Sequence, residues 1–258
     1  MDSMADTSDN QDENQESSFK EFISTLLWAL GIALILRTFL FQPFHIPSGS
    51  MQPGLMKGDY IITSKYSLGY GKYAAAPFPF PVSKGRLFER KPERGDVLVF
   101  RPRDQNKNYI KRLVGLPGDQ IQMVDGYLLI NGKAQALEDL GTEIRLDSDG
   151  FEDETRVFRE SFDNGHTHRI YDDVAGGPAD NTAVFTVPSG HYFVMGDNRD
   201  HSADSRVPVD FNGAGYVPTE NLMGKAEFVL LSVNNKFSLI KPWTWFNMRG
   251  DRFFMVIK

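Results

Sequence analysis

Residues 22–36, FISTLLWALGIALIL, contain no charged side chain, and after Arg37 and Thr38 the apolar run resumes at Phe39, Leu40 and Phe41. No other stretch restricts the fold so strongly. A helix needs about 20 apolar residues to cross a bilayer, and 22–41 meets that length when Arg37 extends its guanidinium to one interface. A core helix would confine its apolar residues to one face, whereas here they occur all round. A secretory leader would begin with a basic segment, but this run follows an acidic tail in which Lys20 is the one basic residue. The sequence therefore predicts a single transmembrane helix over 20–42. Its direction is not legible from charge: Lys20 precedes it while Arg37, Lys57 and Lys65 follow, too weak a bias for the positive-inside rule.

Upstream, residues 1–17 carry Asp2, Asp6, Asp9, Asp12, Glu13 and Glu16 without a base. Such polar, acidic composition predicts a disordered tail over 1–19. Those six acids account for the whole formal charge of −6, so the remainder is neutral and carries no nucleic-acid footprint. The chain has no cysteine, which excludes disulfides, thiolate metal sites and a cysteine nucleophile.

Downstream the pattern changes to short apolar runs separated by turn chemistry, the signature of β-structure. Residues 60–63, 97–100, 109–115, 120–124, 127–130, 183–187, 191–195, 227–233 and 253–257 read as strands. Asp125-Gly126 and Asn131-Gly132 are strong hairpin signals. Residues 74–90, with Pro77, Pro79 and Pro81, read as an irregular loop. Residues 134–182 are acid-rich and without sustained periodicity, which predicts an inserted region inside a mainly β domain spanning 43–258. Within it His166 and His168 lack a third ligand at a recognised spacing and read as a solvated loop, not a metal site. Trp243, Trp245 and Phe246 suit either a core or an interfacial anchor.

The chemistry concentrates in three places. The stretch Pro43-Phe44-His45-Ile46-Pro47-Ser48-Gly49-Ser50-Met51-Gln52-Pro53 is stiff, because its prolines fix φ and bias their predecessors toward extended backbone. Its serines read as a nucleophile with a helper, or as an ordinary turn. Lys111 lies in a predicted strand, and alternation puts it on one face with Tyr109 and Leu113. A solvated lysine would be inert. A buried one has its pKa lowered, by up to about 3–5 units, and a neutral amine can take a serine proton, as in Ser–Lys variants of the catalytic triad. The third place, residues 196–206 (GDNRDHSADSR), is too polar for a core strand. It reads as a solvated loop, or as a rigid one in which Asp204 pairs with Arg206 and Ser202 hydrogen-bonds an amine such as Lys111. The five histidines are scattered, and no His-Glu-x-x-His motif is present.

These blocks together resemble the bacterial type I signal peptidases (leader peptidases), membrane-bound Ser–Lys endopeptidases, in their single-span form. The resemblance rests on Ile46-Pro47-Ser48-Gly49-Ser50-Met51 with Pro53 and Leu55, on Gly58-Asp59-Tyr60-Ile61, on Arg94-Gly95-Asp96-Val97 through Tyr109 to Asp119, and on residues 196–206, in that order. It implies a signal-peptidase-like β-domain that removes signal peptides after a small-x-small site, through an acyl-enzyme and without cofactor or metal. By the same resemblance Ser50 is the nucleophile and Lys111 its general base. The Ser50 N–H and the Ser48 hydroxyl form the oxyanion hole, Ser202 orients Lys111, and Asp204 and Arg206 support the site. Phe44, Ile46, Leu55, Tyr109 and Ile110 line the substrate groove, which takes an extended peptide as an added strand. Its implied partners are signal peptides of exported preproteins, the lipid of the cytoplasmic membrane and the secretion translocon. The catalytic domain is expected on the extracytoplasmic side and the acidic tail in the cytoplasm. His201 and Asn108 depart from residues common at those positions. Two other readings remain: a membrane-anchored binding protein with no use for the dyad, and a self-cleaving Ser–Lys regulator, which would need a DNA-binding domain where 22–41 stands.

Overall fold

The computed structural model describes residues 6–73, 82, 85–146, 152–173, 176–177, 179–234, 241, 244 and 248–258, with side chains from residue 18. Pro77, Pro79, Pro81, Trp243, Trp245 and Phe246 lie outside the described residues. One helix, α1, runs over Asp6–Ile35 and widens into a π-helical turn at Leu36–Leu40. Its segment Ser18–Leu40 is long and apolar enough to cross a membrane, and none of it is buried against the rest of the protein. The helix begins at Asp6, inside the tail that composition predicts disordered. Extending an existing helix costs far less than nucleating one.

Among the described residues fifteen strands follow: β1 Phe41–His45, β2 Asp59–Ser64, β3 Val97–Phe100, β4 Tyr109–Gly115, β5 Gln120–Val124, β6 Tyr127–Ile130, β7 Lys133–Ala134, β8 Ala136–Leu146, β9 Glu152–Ser161, β10 Thr167–Tyr171, β11 Phe185–Thr186, β12 His191–Met195, β13 Val217–Pro218, β14 Leu222–Ser232 and β15 Met255–Val256. Pairing between them is antiparallel. The main sheet runs β1-β2-β14-β3-β4-β12-β13, with β15 beside β14; a second runs β11-β5-β6-β7 and a third β10-β9-β8. The third sheet occupies much of 134–182. Its polar strands hide their period because cross-strand pairs such as Arg159–Glu138 and Arg156–Asp139 hold them.

Local chemistry accounts for the frame. All four residues of β3, Val-Leu-Val-Phe, are buried, as a continuous apolar run demands when both faces are covered. The hairpin between β5 and β6 turns at Asp125 and Gly126, with φ of +48° and +81°, the left-handed pair of a type I′ turn. Around the main sheet, Ile46, Met51, Leu55, Ile61, Val97, Val99 and Val229 form one apolar cluster. Leu68, Leu98, Phe100, Leu113 and Val194 form a second. Strand β4 thus lies between two packed layers, with an ammonium and a guanidinium at Lys111 and Arg112 in its middle.

Candidate active site

Strand β4 presents Lys111 between β3 on one side and the chain that follows β1 on the other. Its partner β12 reaches only as far as Met195, opposite Arg112, so the first half of β4 is paired with β3 alone. The open side faces the turn that carries Ser50. Lys111 Nζ lies 2.6 Å from Ser50 Oγ and 3.0 Å from the Ile110 carbonyl oxygen. Among the described residues no carboxylate oxygen comes within salt-bridge distance of this amine, which is 4% exposed as a residue. Burial lowers its pKa from 10.5 to about 8; Asp204 and Asp197 oppose that weakly, and Arg206 adds to it. The solvated alternative for Lys111 does not hold.

The Ser50 turn is pinned from beneath. Gln52 N–H donates to the Gly49 carbonyl at 3.0 Å and Leu55 N–H to that of Met51 at 2.7 Å. Asn198 Nδ2 donates to the Gly49 carbonyl at 3.1 Å, and its backbone N–H to that of Ser50 at 3.2 Å. The carbonyls of Gly49 and Ser50 therefore point into the protein. Ser48 Oγ is 3.4 Å from Ser50 Oγ, and Ser48 itself is exposed. Ser48 and Ser50 thus sit together beside the lysine amine.

Residues 196–206 are not a solvated loop. Asp197, Asn198, Arg199 and Asp204 are each at most 3% exposed. Arg206 grips Asp204 with two bonds of 2.9 Å and donates at 2.6 Å to the Arg199 carbonyl. Burial works to raise the Asp204 carboxyl, but Arg206 outweighs it and keeps the group ionised, below the usual range. Arg112 holds Asp197 through two bonds of 2.7 Å, and Arg199 holds Glu160 through bonds of 2.9 and 2.6 Å. Gly196 is required for closeness, since a Cβ there would overlap Ser202 and the Ser50 carbonyl.

Ser202 departs from its expected place. No hydrogen bond joins its hydroxyl to Lys111; that hydroxyl packs over Gly196 and lies beside the Asp204 carboxyl, which it helps to keep ionised, while the amine bonds Ser50 and the Ile110 carbonyl. His166 and His168 depart too. The loop reading fails because they pack beside Phe162, with His166 Nε2 3.0 Å from Arg112 and His168 3.4 Å from Glu160. Burial, with Arg112 nearby, lowers both pKa values, that of His166 to about 4. Asn198, Arg112 and Lys65 are contributors that sequence reasoning missed. For Arg112 the only signal was its adjacency to Lys111, which alternation sends to the opposite face.

Of the groove residues, Ile46 and Leu55 belong to the first apolar cluster, and Phe44 and Ile110 pack against it half-exposed. Tyr109 packs on the second cluster, and its ring lies 5.9 Å from Lys111 Nζ. Phe44, Ile46, Leu55 and Ile110 therefore gather in one apolar cluster and Tyr109 packs on the other. Asn108 is exposed and accepts from Arg101 at 3.3 Å; His201 is exposed, 3.8 Å from Asp173.

Residues 19–231 match the family model described as signal peptidase, peptidase S26. The signal peptidase I of Rickettsia felis is 40% identical over 91% of this chain and 92% of its own. That of Rickettsia typhi is 39% identical over the same shares. A crystal structure of a signal peptidase I from Enterococcus faecalis is 29% identical, covering 53% of this chain and 97% of that one, with a TM-score of 0.31.

Proposed function

The chain belongs to the signal peptidase family, peptidase S26, and on that premise we propose that Ser50 and Lys111 are the residues with which it cuts signal peptides from exported preproteins. The observation that carries this assignment is the 2.6 Å contact between Ser50 Oγ and an amine whose pKa burial lowers to about 8.

The reaction follows from that geometry. Neutral Lys111 takes the Ser50 hydroxyl proton as Oγ attacks the carbonyl carbon of the scissile bond. The oxyanion that forms is met by the Ser50 N–H and the Ser48 hydroxyl; such a donor typically contributes about 3–4 kcal/mol to transition-state stabilisation. Lys111 then returns the proton to the leaving amine, which departs as the new N-terminus of the mature protein. In the second half Lys111 deprotonates water, the hydroxide attacks the acyl-Ser50 ester, and Lys111 returns the proton to Ser50 Oγ as the signal peptide leaves with a free carboxylate.

Substrate binds as an added strand between the free side of β4 at Tyr109 and Ile110 and the chain at Phe44–Ile46, its alternate side chains entering the apolar wall. The helix anchors the domain in the cytoplasmic membrane, with the dyad on the extracytoplasmic face where cleavage sites emerge. Full-length protein incubated with a preprotein should yield a mature product whose new N-terminus follows a small-x-small site. Ser50→Ala should yield none, and product from Ser50→Ala at the wild-type rate would overturn the assignment.

A further inference from the structure

A helix leaving a membrane ends with backbone carbonyls that lack intrahelical partners, normally met by water. Here the carbonyls of Leu36 to Leu40 are all accounted for by protein. Phe41 N–H donates to Leu36. Lys65 Nζ donates to Arg37 at 2.9 Å and to Thr38 at 3.3 Å. The Tyr70 hydroxyl donates to Phe39 at 2.8 Å, and the Lys65 backbone N–H to Leu40 at 2.9 Å. Lys65 is 0% exposed, the largest fully buried side chain among the described residues. An ammonium is costly to bury, and the negative end of a helix with two carbonyl acceptors recovers part of that cost. Around it, edge-to-face pairs join Phe39 to Tyr70 and Phe41 to Tyr66. Such an aromatic collar, with Arg37 beside it, is what a membrane–water interface selects.

The helix end is therefore fastened to the catalytic domain at the end of β2, and β1 continues from it already paired with β2 from Phe41↔Ser64 onward. Ser50 is the tenth residue after Leu40, a reach of at most ~35 Å. Because β1 is locked in a sheet, that reach is a fixed distance and not a tether's range.

We propose that Lys65 is a positioning residue that locks the anchor helix to the catalytic domain, so that the junction sets the distance of Ser50 from the bilayer and thereby selects which small-x-small site of a membrane-inserted preprotein is cut. The proposal rests on the reading of Ser50 as nucleophile. Its ligand is the extended segment of a preprotein at one height above the lipid.

The test uses full-length protein in phospholipid vesicles and a preprotein carrying two small-x-small sites, four residues apart, beyond its apolar segment. A short soluble peptide with one site serves as the second substrate. Lys65→Met removes the ammonium at nearly constant volume. The expected result is a change of fivefold or more in the ratio of the two preprotein products, with kcat/KM on the soluble peptide within twofold of wild type. An unchanged product ratio in folded protein overturns the proposal. So does an equal loss on both substrates, which is the result a merely structural lysine would give. Should Lys65→Met fail to fold, two glycines inserted between Leu40 and Phe41 are read by the same two outcomes. Ser50→Ala on the soluble peptide tests the nucleophile separately, so failure of either reading is distinguishable.

Discussion

Replacing Lys111 with methionine should do two opposite things: remove activity and stabilise the fold. The lysine is enclosed, and burial lowers its pKa from 10.5 to about 8. At roughly 1.4 kcal/mol per pH unit, holding the charged form in the folded protein costs about 3 kcal/mol at pH 7. The sign follows from proton counts. Below about pH 8 both folded and unfolded states carry the proton, and the full cost stands. Between about 8 and 10.5 the folded lysine has lost its proton while the unfolded one keeps it, so wild type gains stability as pH rises. Methionine fills similar space without charge but forfeits the bonds to Ser50 and Ile110, each worth about 1 kcal/mol at any pH. The useful quantity is therefore a difference of differences. The stability of Lys111→Met minus that of wild type should be about 3 kcal/mol more favourable at pH 7 than at pH 10.5. Denaturant unfolding in detergent, followed by tryptophan fluorescence, measures it, and activity on a preprotein should fall by about 10²–10⁴. A stability difference that does not move with pH would show that Lys111 titrates like an exposed lysine, and the mechanism would lose its base.

Activity of the wild type should rise with pH through about 8, because only neutral Lys111 accepts the Ser50 proton; a rate flat from pH 5 to 9 would contradict this. Arg206→Gln removes a cation that lowers the Lys111 pKa and leaves Asp204 uncompensated, so the acid limb of kcat/KM should move up by roughly one pH unit, measured as a full pH–rate profile. Asn198→Ala frees the Gly49 carbonyl from its side-chain bond, and kcat should drop about tenfold with KM little changed, as loss of positioning predicts. Asp172 is raised to about 7 by burial, with Asp200 nearby. Between pH 4 and 7 the unfolded state gives up this proton and the folded state keeps it, so Asp172→Asn should gain Tm over wild type as pH rises from 4 to 8.

Much of the frame was legible because β-structure that is buried on both faces, or turned by Asp-Gly, advertises itself locally. Strands β3, β4, β5, β6 and β12 occupy the residues their apolar runs predict. The insert was less legible, since β8–β10 are held by cross-strand ion pairs and show no apolar period. The acidic start of α1 misled because composition registers poor cohesion but not a helix already nucleated downstream. Ser50 and Lys111 were legible as a pair only when several blocks were read together. Lys65 was counted as a charge near the membrane, and nothing in its neighbourhood tells that its ammonium closes a helix end 27 residues upstream.

Residues 196–206 show why polar density is a poor guide to solvation. Eight of the eleven are Asp, Asn, Arg or Ser, yet the segment underlies the site because its charges cancel in pairs. Asp204 is matched by Arg206, Asp197 by Arg112, and Arg199 by Glu160. Each pair is nearly as expensive to bury as it is attractive, so together they add little stability. Their effect is on the field at Lys111. With Asp204 and Asp197 each held by a guanidinium, their pull on the ammonium is outweighed by burial, and desolvation decides its protonation. A histidine base would need only an orienting acid; a lysine base needs its counter-charges occupied. The paired arginines therefore belong to the same chemistry as the dyad, and removing one should shift the pH at which Ser50 is activated as well as destabilise the fold, because a buried carboxylate is left unpaired.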